Sequence, residues 1–348
     1  NLHVVGYSTP IQKKITLNEL KKNLHYLKHI PEAIPYRTSY YAESWGFCIS
    51  YNQFLEHFQD DEYEVYIDSE LVNGSLTIGE LLISGKSKKE YLVSCYICHP
   101  SMANDSLSGV VATTFIAKEL LSRTNELEYS YRIVFVPETI GAVTYCANNE
   151  AELKSINKAL VVTTCGGPGK FGYKQSWDKT NSINSMVEDV FIENGLNYET
   201  YPFDIHGSDE RQYSSQGFRI NCLTITKDKY YEYEYYHTSL DNLDFVSATN
   251  IEKSIDLYLQ LINKMDKDIV LYNKNPNCEV MLGKHDLYPK IGGSMMQLEE
   301  CALEQINSPK THLDIILELL FYCDGGVSLY ELSKKMNISL NNVYKIAI

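Results

Sequence analysis

Positive charge is scarce in this chain. Thirty-one Lys and Arg stand against 45 Asp and Glu over 348 residues, a formal net charge of −14. A surface of that sign repels phosphate backbones and anionic lipid, which argues against nucleic acid or a membrane as the partner. Also missing is any apolar run of the roughly 18 residues that a spanning helix needs. No signal-peptide pattern is visible. A paired cysteine framework is absent too: the nine cysteines are odd in number and scattered. Several, such as Cys95 and Cys98 in "LVSCYIC", sit in apolar runs. Reduced, buried thiols in a cytoplasmic protein are therefore expected. "CYIC" has CxxC spacing, but no second CxxC follows, and strand alternation puts its two cysteines on opposite faces. What is present is ordinary globular material, 44% hydrophobic and 22% charged, enough for one large core or two domains. Tyrosine is plentiful at 28 residues. It combines apolar area with a hydroxyl that wants a partner, and so suits polar clefts and interfaces.

The middle of the chain alternates strand and helix patterns. "EYLVSCYIC" (90–98) and "YRIVFVP" (131–137) are continuous apolar runs, as in strands buried on both faces. "KALVVTTC" (158–165) and "FRINCLTIT" (218–226) are two more. Helical spacing falls between and after them at 106–122, at 182–195, where a glycine ends the pattern, and at 247–266. The predicted fold class is α/β: a doubly wound, mostly parallel sheet over 90–295, with its site at the carboxyl ends of the strands. Residues 1–89 read as a small β-rich lobe plus the start of the core, with a hairpin around "VNGS" inside 62–85. From 309 to 348 the pattern is a helix, a Gly-Gly turn and a helix–turn–helix rhythm, read as an incomplete winged-helix tail. Its segment 339–348 holds one basic residue, Lys345, so DNA binding is not expected. A neutral helical tail on an acidic chain is compatible with a homodimer.

Five residues stand at or near predicted strand ends: His99, Asp105, Glu138, Asp209 and His237. Singly, each has a plain structural reading. A histidine after a strand packs, Asp105 caps a helix, and Glu138 sits in a solvated loop. Their order and surroundings carry more: "HPS" (99–101), "NDSLSG" (104–109), "ETIG" (138–141), "VTTC" (162–165), "SDERQY" (208–213) and "HTSLDN" (237–242). That series resembles the zinc aminopeptidase family that includes bacterial leucyl-type aminopeptidases, glutaminyl cyclases and glutamate carboxypeptidase. The family's pattern is HxD, DNxSG, EExG, a strand-end D, SDHxxF and HTxxD. The resemblance covers about 90–270, and "NDSLSG" and "HTSLDN" are its more specific pieces. The whole chain is closest to a bacterial branch with an inserted domain and a C-terminal winged helix, associated with surface-polysaccharide genes.

The resemblance implies two zinc ions. One would use His99, a bridging Asp105 and a strand-end aspartate; the other would use Asp105, a glutamate and His237. Here the glutamate position is Thr139, and the strand-end aspartate falls on Thr163 or Thr164. Ser101 stands where an aspartate would orient the first histidine. Two dications a few ångströms apart repel and need several carboxylates between them. The expectation is therefore one zinc per chain on His99, Asp105 and His237. Two imidazoles and a carboxylate leave a fourth position open for water. Asp209 and Asp204 are reserve ligands. Glu138 matches the family's general base. Arg211, Gln212 and Tyr236 are expected at the substrate, with Arg211 suited to gripping a carboxylate. The function expected is a mono-zinc hydrolase that cleaves a peptide or other amide bond in a small peptide or aminoacyl-like substrate. The alternatives are an amide or ester hydrolase in surface-polysaccharide metabolism, and a non-catalytic metal-binding scaffold or transcription regulator.

Overall fold

The computed structural model describes residues 3–39, 41–99, 101–285, 287 and 312–348. Near the N-terminus, β1 (Ile11–Thr16) and β2 (Glu62–Ile67) pair antiparallel, with Ile11 opposite Ile67. Ile15, Leu20 and Val65 close a small apolar cluster of their own there. The hairpin expected around "VNGS" does not form. The buried positions of β2 are matched by β1, and the next strand, β3 (Gly79–Ile83), pairs instead with the central sheet. The stretch 68–78 between them is too long for a tight turn.

The central sheet continues with β4 (Glu90–Tyr96), β5 (Ser130–Val136), β6 (Lys158–Val161), β7 (Phe171–Lys174), β8 (Tyr198–Tyr201) and β9 (Asn221–Lys227). Its seven strands lie in the order β8–β7–β9–β6–β4–β5–β3. The block β9–β6–β4–β5 is parallel throughout. β3 closes one edge antiparallel to β5, and β7 lies antiparallel to β9 with β8 parallel beside it. Continuous apolar runs make sense in such a sheet because both faces are covered. Val93, Ile133 and Leu160 face one core, and their neighbours Leu92, Val134 and Val161 face the other.

Helices α1 (Ser108–Ser122), α3 (Ser182–Glu193) and α4 (Ala248–Lys267) fill the first face with Ile116, Val187, Leu261 and their like. Helix α2 (Ile140–Asn148) fills the second with Ala142 and Tyr145. The ends of α3 and α4 are written locally. Asn181 and Ser247 accept the first free N–H groups, and Gly195 follows α3 at φ 62°. The chain leaves β4 through α1 on one face to reach β5, then leaves β5 through α2 on the other face to reach β6. β4 is thus a topological switch point, and a crevice opens at the carboxyl ends of β4 and its neighbours.

Two glycines let helices close on the sheet. A Cβ on Gly109 would stand 2.5 Å from the Val162 carbonyl oxygen, and one on Gly141 would stand 2.6 Å from Pro137 Cδ. These are the glycines of "NDSLSG" and "ETIG", so both motifs carry a packing requirement as well as their acids.

Beyond α4, β10 (Val270–Tyr272) pairs antiparallel with β11 (Asp324–Ser328). Helices α5 (His312–Tyr322), α6 (Leu329–Met336) and α7 (Leu340–Ala347) complete the described tail. Ile315, Leu319, Leu332 and Met336 join the same apolar core as Leu261 and Ile262 of α4. The boundaries expected at 295 and 309 lie outside the described residues. Among the described residues, no helix is long and apolar enough to cross a membrane.

Candidate metal centre

Tyr96 ends β4, and Cys98 and His99 follow it into the crevice. The loop at 102–107 then turns sharply before α1, with a cis peptide between Asp105 and Ser106. Asp241 holds that loop from far along the chain. Its carboxylate accepts the backbone N–H of Asn104 at 2.6 Å and of Asp105 at 3.0 Å, and the Tyr233 hydroxyl at 2.9 Å. His237, four residues before Asp241, is thereby brought over Asp105. A loop of the N-terminal region covers both histidines. Tyr36 N–H donates to the His237 carbonyl at 2.8 Å, and the Tyr36 ring lies 5.6 Å from the His99 ring and 5.3 Å from that of His237.

Three ligand-type groups converge. His237 Nε2 lies 3.1 Å from Asp105 Oδ2, and His99 Nε2 lies 4.0 Å from the same oxygen. One nitrogen of each imidazole and this carboxylate oxygen are all within 4.8 Å of one another. Asp105 is buried, with 1% of its side chain exposed, whereas His237 is 31% exposed. The centre is therefore fixed on one side and open on the other. His237 Nε2 is itself screened from solvent and, apart from the Asp105 carboxylate it faces, has no polar partner. A buried ring nitrogen whose polar neighbours are a carboxylate oxygen and a second imidazole fits a dication with nitrogen and oxygen ligands such as zinc. The other Asp105 oxygen accepts the Tyr96 hydroxyl, which in turn accepts from Thr163 Oγ1 at 2.7 Å. Thr163, one of the two positions where the resemblance would put an acid, is thus a hydroxyl donor in a chain that ends on Asp105.

Glu138 stands at the rim, 27% exposed, with Oε2 3.8 Å from His99 Nε2 and Oε1 accepting Ser208 Oγ at 2.8 Å. Thr139 follows at φ 62°; its N–H donates to Asp209 Oδ1 at 2.7 Å, and its hydroxyl accepts from Arg211 at 3.2 Å. Arg211 also donates to the Ile205 carbonyl at 3.2 Å. Asp209 is fully buried and its second oxygen has no partner. Burial works to raise the Asp105 pKa, but the facing His237 and the charge of His99 outweigh it and hold the carboxyl below its usual range. For Glu138, burial wins over the nearby His99 and pushes the pKa up. Asp209 is pushed well above the carboxylate range by burial and by the Glu138 charge. Burial takes the Cys98 thiol up to about 12, so it stays protonated at neutral pH.

The residues singled out in the sequence divide here. His99, Asp105, Glu138 and His237 come together. Tyr236 lies flat on His237, ring centres 3.9 Å apart and planes 15° apart. Asp209 sits behind Thr139 rather than among the imidazoles. Arg211 braces the Thr139 turn, and among the described residues Gln212 makes no side-chain hydrogen bond to this cluster. Asp204 is turned toward Lys174, 3.4 Å away, and is not a ligand in this arrangement. Three contributors escaped the sequence reading, Tyr36, Tyr96 and Asp241, and Cys98 entered it only through its CxxC spacing. Only Asp241 had a visible signal, as the aspartate of "HTSLDN". A separate cavity of about 470 Å³ lies between α4 and the tail. Its lysines 264 and 334 are already paired with Glu193 and Asp189, so it offers neither of these cations to a ligand.

Comparison with known proteins agrees with this architecture. A family model for a domain of unknown function, DUF4910, matches residues 5–268. A Clostridium acetobutylicum protein, provisionally described as a polysaccharide biosynthesis protein with an aminopeptidase-like domain, is 44% identical over 293 residues, covering 84% of this chain and 67% of that one. A crystal structure of a Clostridium acetobutylicum protein, provisionally described as a peptidase, is 38% identical. It superposes with a TM-score of 0.79 over 100% of this chain and 75% of the other. A zinc aminopeptidase from Bacillus subtilis shares the fold at 15% identity, with a TM-score of 0.55 over 70% of this chain and 63% of that one.

Proposed function

The chain belongs to the DUF4910 family, and from that premise we propose that it is a zinc-dependent hydrolase of aminopeptidase type, with one metal per chain. The observation that carries this is the convergence of His99, Asp105 and His237 within 4.8 Å, with the buried His237 Nε2 turned to the Asp105 carboxylate. These three side chains would hold the ion. When bound, zinc lowers the pKa of a water toward about 7 and polarises a carbonyl.

The chain's own residues supply the rest. Ser208 holds one oxygen of Glu138, which leaves Oε2 facing the histidines to take a proton from the attacking water. The water oxygen bonds to the carbonyl carbon, the C–N bond breaks, and Glu138 hands the proton to the leaving amine. The Glu138 carboxyl, raised by burial, is a better proton acceptor than an ordinary exposed carboxylate. Tyr36 and Tyr236 wall the histidines, so substrate enters from the side on which His237 and Glu138 are exposed. Arg211 acts through the Thr139 turn in this reading rather than by gripping substrate. The substrate in this reading is a small peptide or aminoacyl amide.

Metal analysis of the purified protein should find about one zinc per chain, as the three-ligand set implies. Glu138→Gln should keep that zinc and lose about 10²–10⁴-fold in hydrolysis of aminoacyl and peptide reporters. A zinc-free wild type, or full activity in the variant, would overturn the proposal. Two zinc ions per chain would overturn its single-metal part. A second reading, an amide or ester hydrolase acting on surface-polysaccharide precursors, draws support from the description of the Clostridium relative.

A further inference from the structure

We infer that Cys98 is a positioning residue. Its sulfur accepts the Nδ1–H of His99 and so aims an unprotonated Nε2 at Asp105 and Glu138. The functional weight of this rests on the hydrolase reading above; the geometry does not. Cys98 Sγ lies 3.1 Å from His99 Nδ1. The only other contact of that sulfur with a polar group is the backbone N–H of Glu138, also at 3.1 Å, among the hydrogen bonds of the described residues.

The two possible tautomers are not equivalent here. A proton on Nε2 would face carboxylate oxygens at 3.8 and 4.0 Å, outside hydrogen-bond range. It would also leave Nδ1 dependent on the weak S–H donor. A proton on Nδ1 has an acceptor in reach and leaves the Nε2 lone pair free for a metal ion. Histidine ligands are ordinarily oriented through the other ring nitrogen by a carboxylate, a carbonyl or water. A thiol is a weaker acceptor than any of these, and here it takes their place on His99. The same sulfur anchors the peptide of Glu138. One atom therefore sets both a ligand at the end of β4 and the proton acceptor at the end of β5. The CxxC spacing of "CYIC" is incidental to this role: Cys95 is buried inside β4, and Cys98 lies past the strand end.

The test compares wild type, Cys98→Ala and Cys98→Ser, each first shown to be folded by circular dichroism. Zinc affinity is measured by chelator competition. The His99 tautomer is read from ¹⁵N-histidine NMR of the zinc-free protein at pH 8.5, assigned by loss of the signal in His99→Ala. Cys98→Ala should weaken zinc binding by about 10- to 100-fold, and Cys98→Ser, which restores an acceptor, should recover part of that loss. The His99 signal should be the Nδ1–H form in wild type and shift toward Nε2–H in Cys98→Ala. An Nε2–H form in wild type overturns the inference, as does a Cys98→Ala protein with unchanged tautomer and affinity. If wild type binds no zinc, the hydrolase reading fails while the tautomer measurement still decides what Cys98 does.

Discussion

In the tail, the starts of α6 and α7 are written in adjacent residues. Ser328 accepts the Glu331 N–H at 3.3 Å, Glu331 returns a bond to the Ser328 N–H at 2.9 Å, and Ser339 accepts the Asn342 N–H at 3.3 Å. The one left-handed residue between α6 and α7 is Asn337, a type that tolerates it. Around the crevice the reverse holds. Ser101, Thr139, Thr164 and His237 all have positive φ without being glycine. Bonds that hold the crevice loops join residues far apart in the chain, Thr139 to Asp209 over 70 positions and Asn104 to Asp241 over 137. Local rules suffice where a helix only has to pack. They are overridden where side chains from several strand ends must meet at one point, and the surrounding scaffold holds the strain.

Substitutions can break this contrast or sharpen it. The largest expected effect is from His99→Ala, which should lose zinc and hydrolysis together, with metal affinity falling by more than the roughly 10- to 100-fold that follows loss of a ligand's partner. Metal analysis and a reporter assay check this, and the tail should be untouched. Gly109→Ala puts a methyl against the Val162 carbonyl and should cost about 1–3 kcal/mol by urea denaturation. A neutral result would mean that the α1 start can shift, which the contrast denies.

Asp209→Asn should show a pH-dependent gain in metal-free stability. Asp209 has a folded pKa well above its unfolded one, so above about pH 4 the native state holds a proton that the unfolded chain has released. Wild-type stability therefore falls as pH rises through that window. The asparagine variant lacks the fall and keeps an acceptor for Thr139. Equal pH slopes in denaturant titrations of the two proteins would sink the assignment. The smallest effect is expected from Ser328→Ala, about 1 kcal/mol from a lost helix cap. Zinc content and turnover should not change. A change in either would mean that the tail reaches the centre.

Legibility followed the same divide. The strands at 90–98, 131–137 and 158–165 and the helices at 182–195 and 247–266 form close to where apolar period and caps placed them. The β2–β3 hairpin did not form, because "VNGS" looks like a turn only while pairing partners are unknown; β1 and β5 were the better matches. His99, Asp105, Glu138 and His237 could be named because their spacing relative to strand ends resembles a known series. Tyr36 could not, because its ring reaches the histidines through a loop that pairs with 237–239, about 200 positions away. Cys98 was dismissed as a strand cysteine, although β4 ends before it.

By itself, the amino-acid sequence determined the α/β alternation, the helix ends and the set of acids and imidazoles available for chemistry. Those depend on residue type, period and near neighbours. The tertiary structure alone decided which of them meet. It sent Asp204 to Lys174 and set Asp209 behind Thr139. It gave one Asp105 oxygen to Tyr96 and put the Cys98 sulfur on His99. Such meetings depend on how a twisted sheet brings separate strand ends to one crevice, a distance relation that no local pattern encodes.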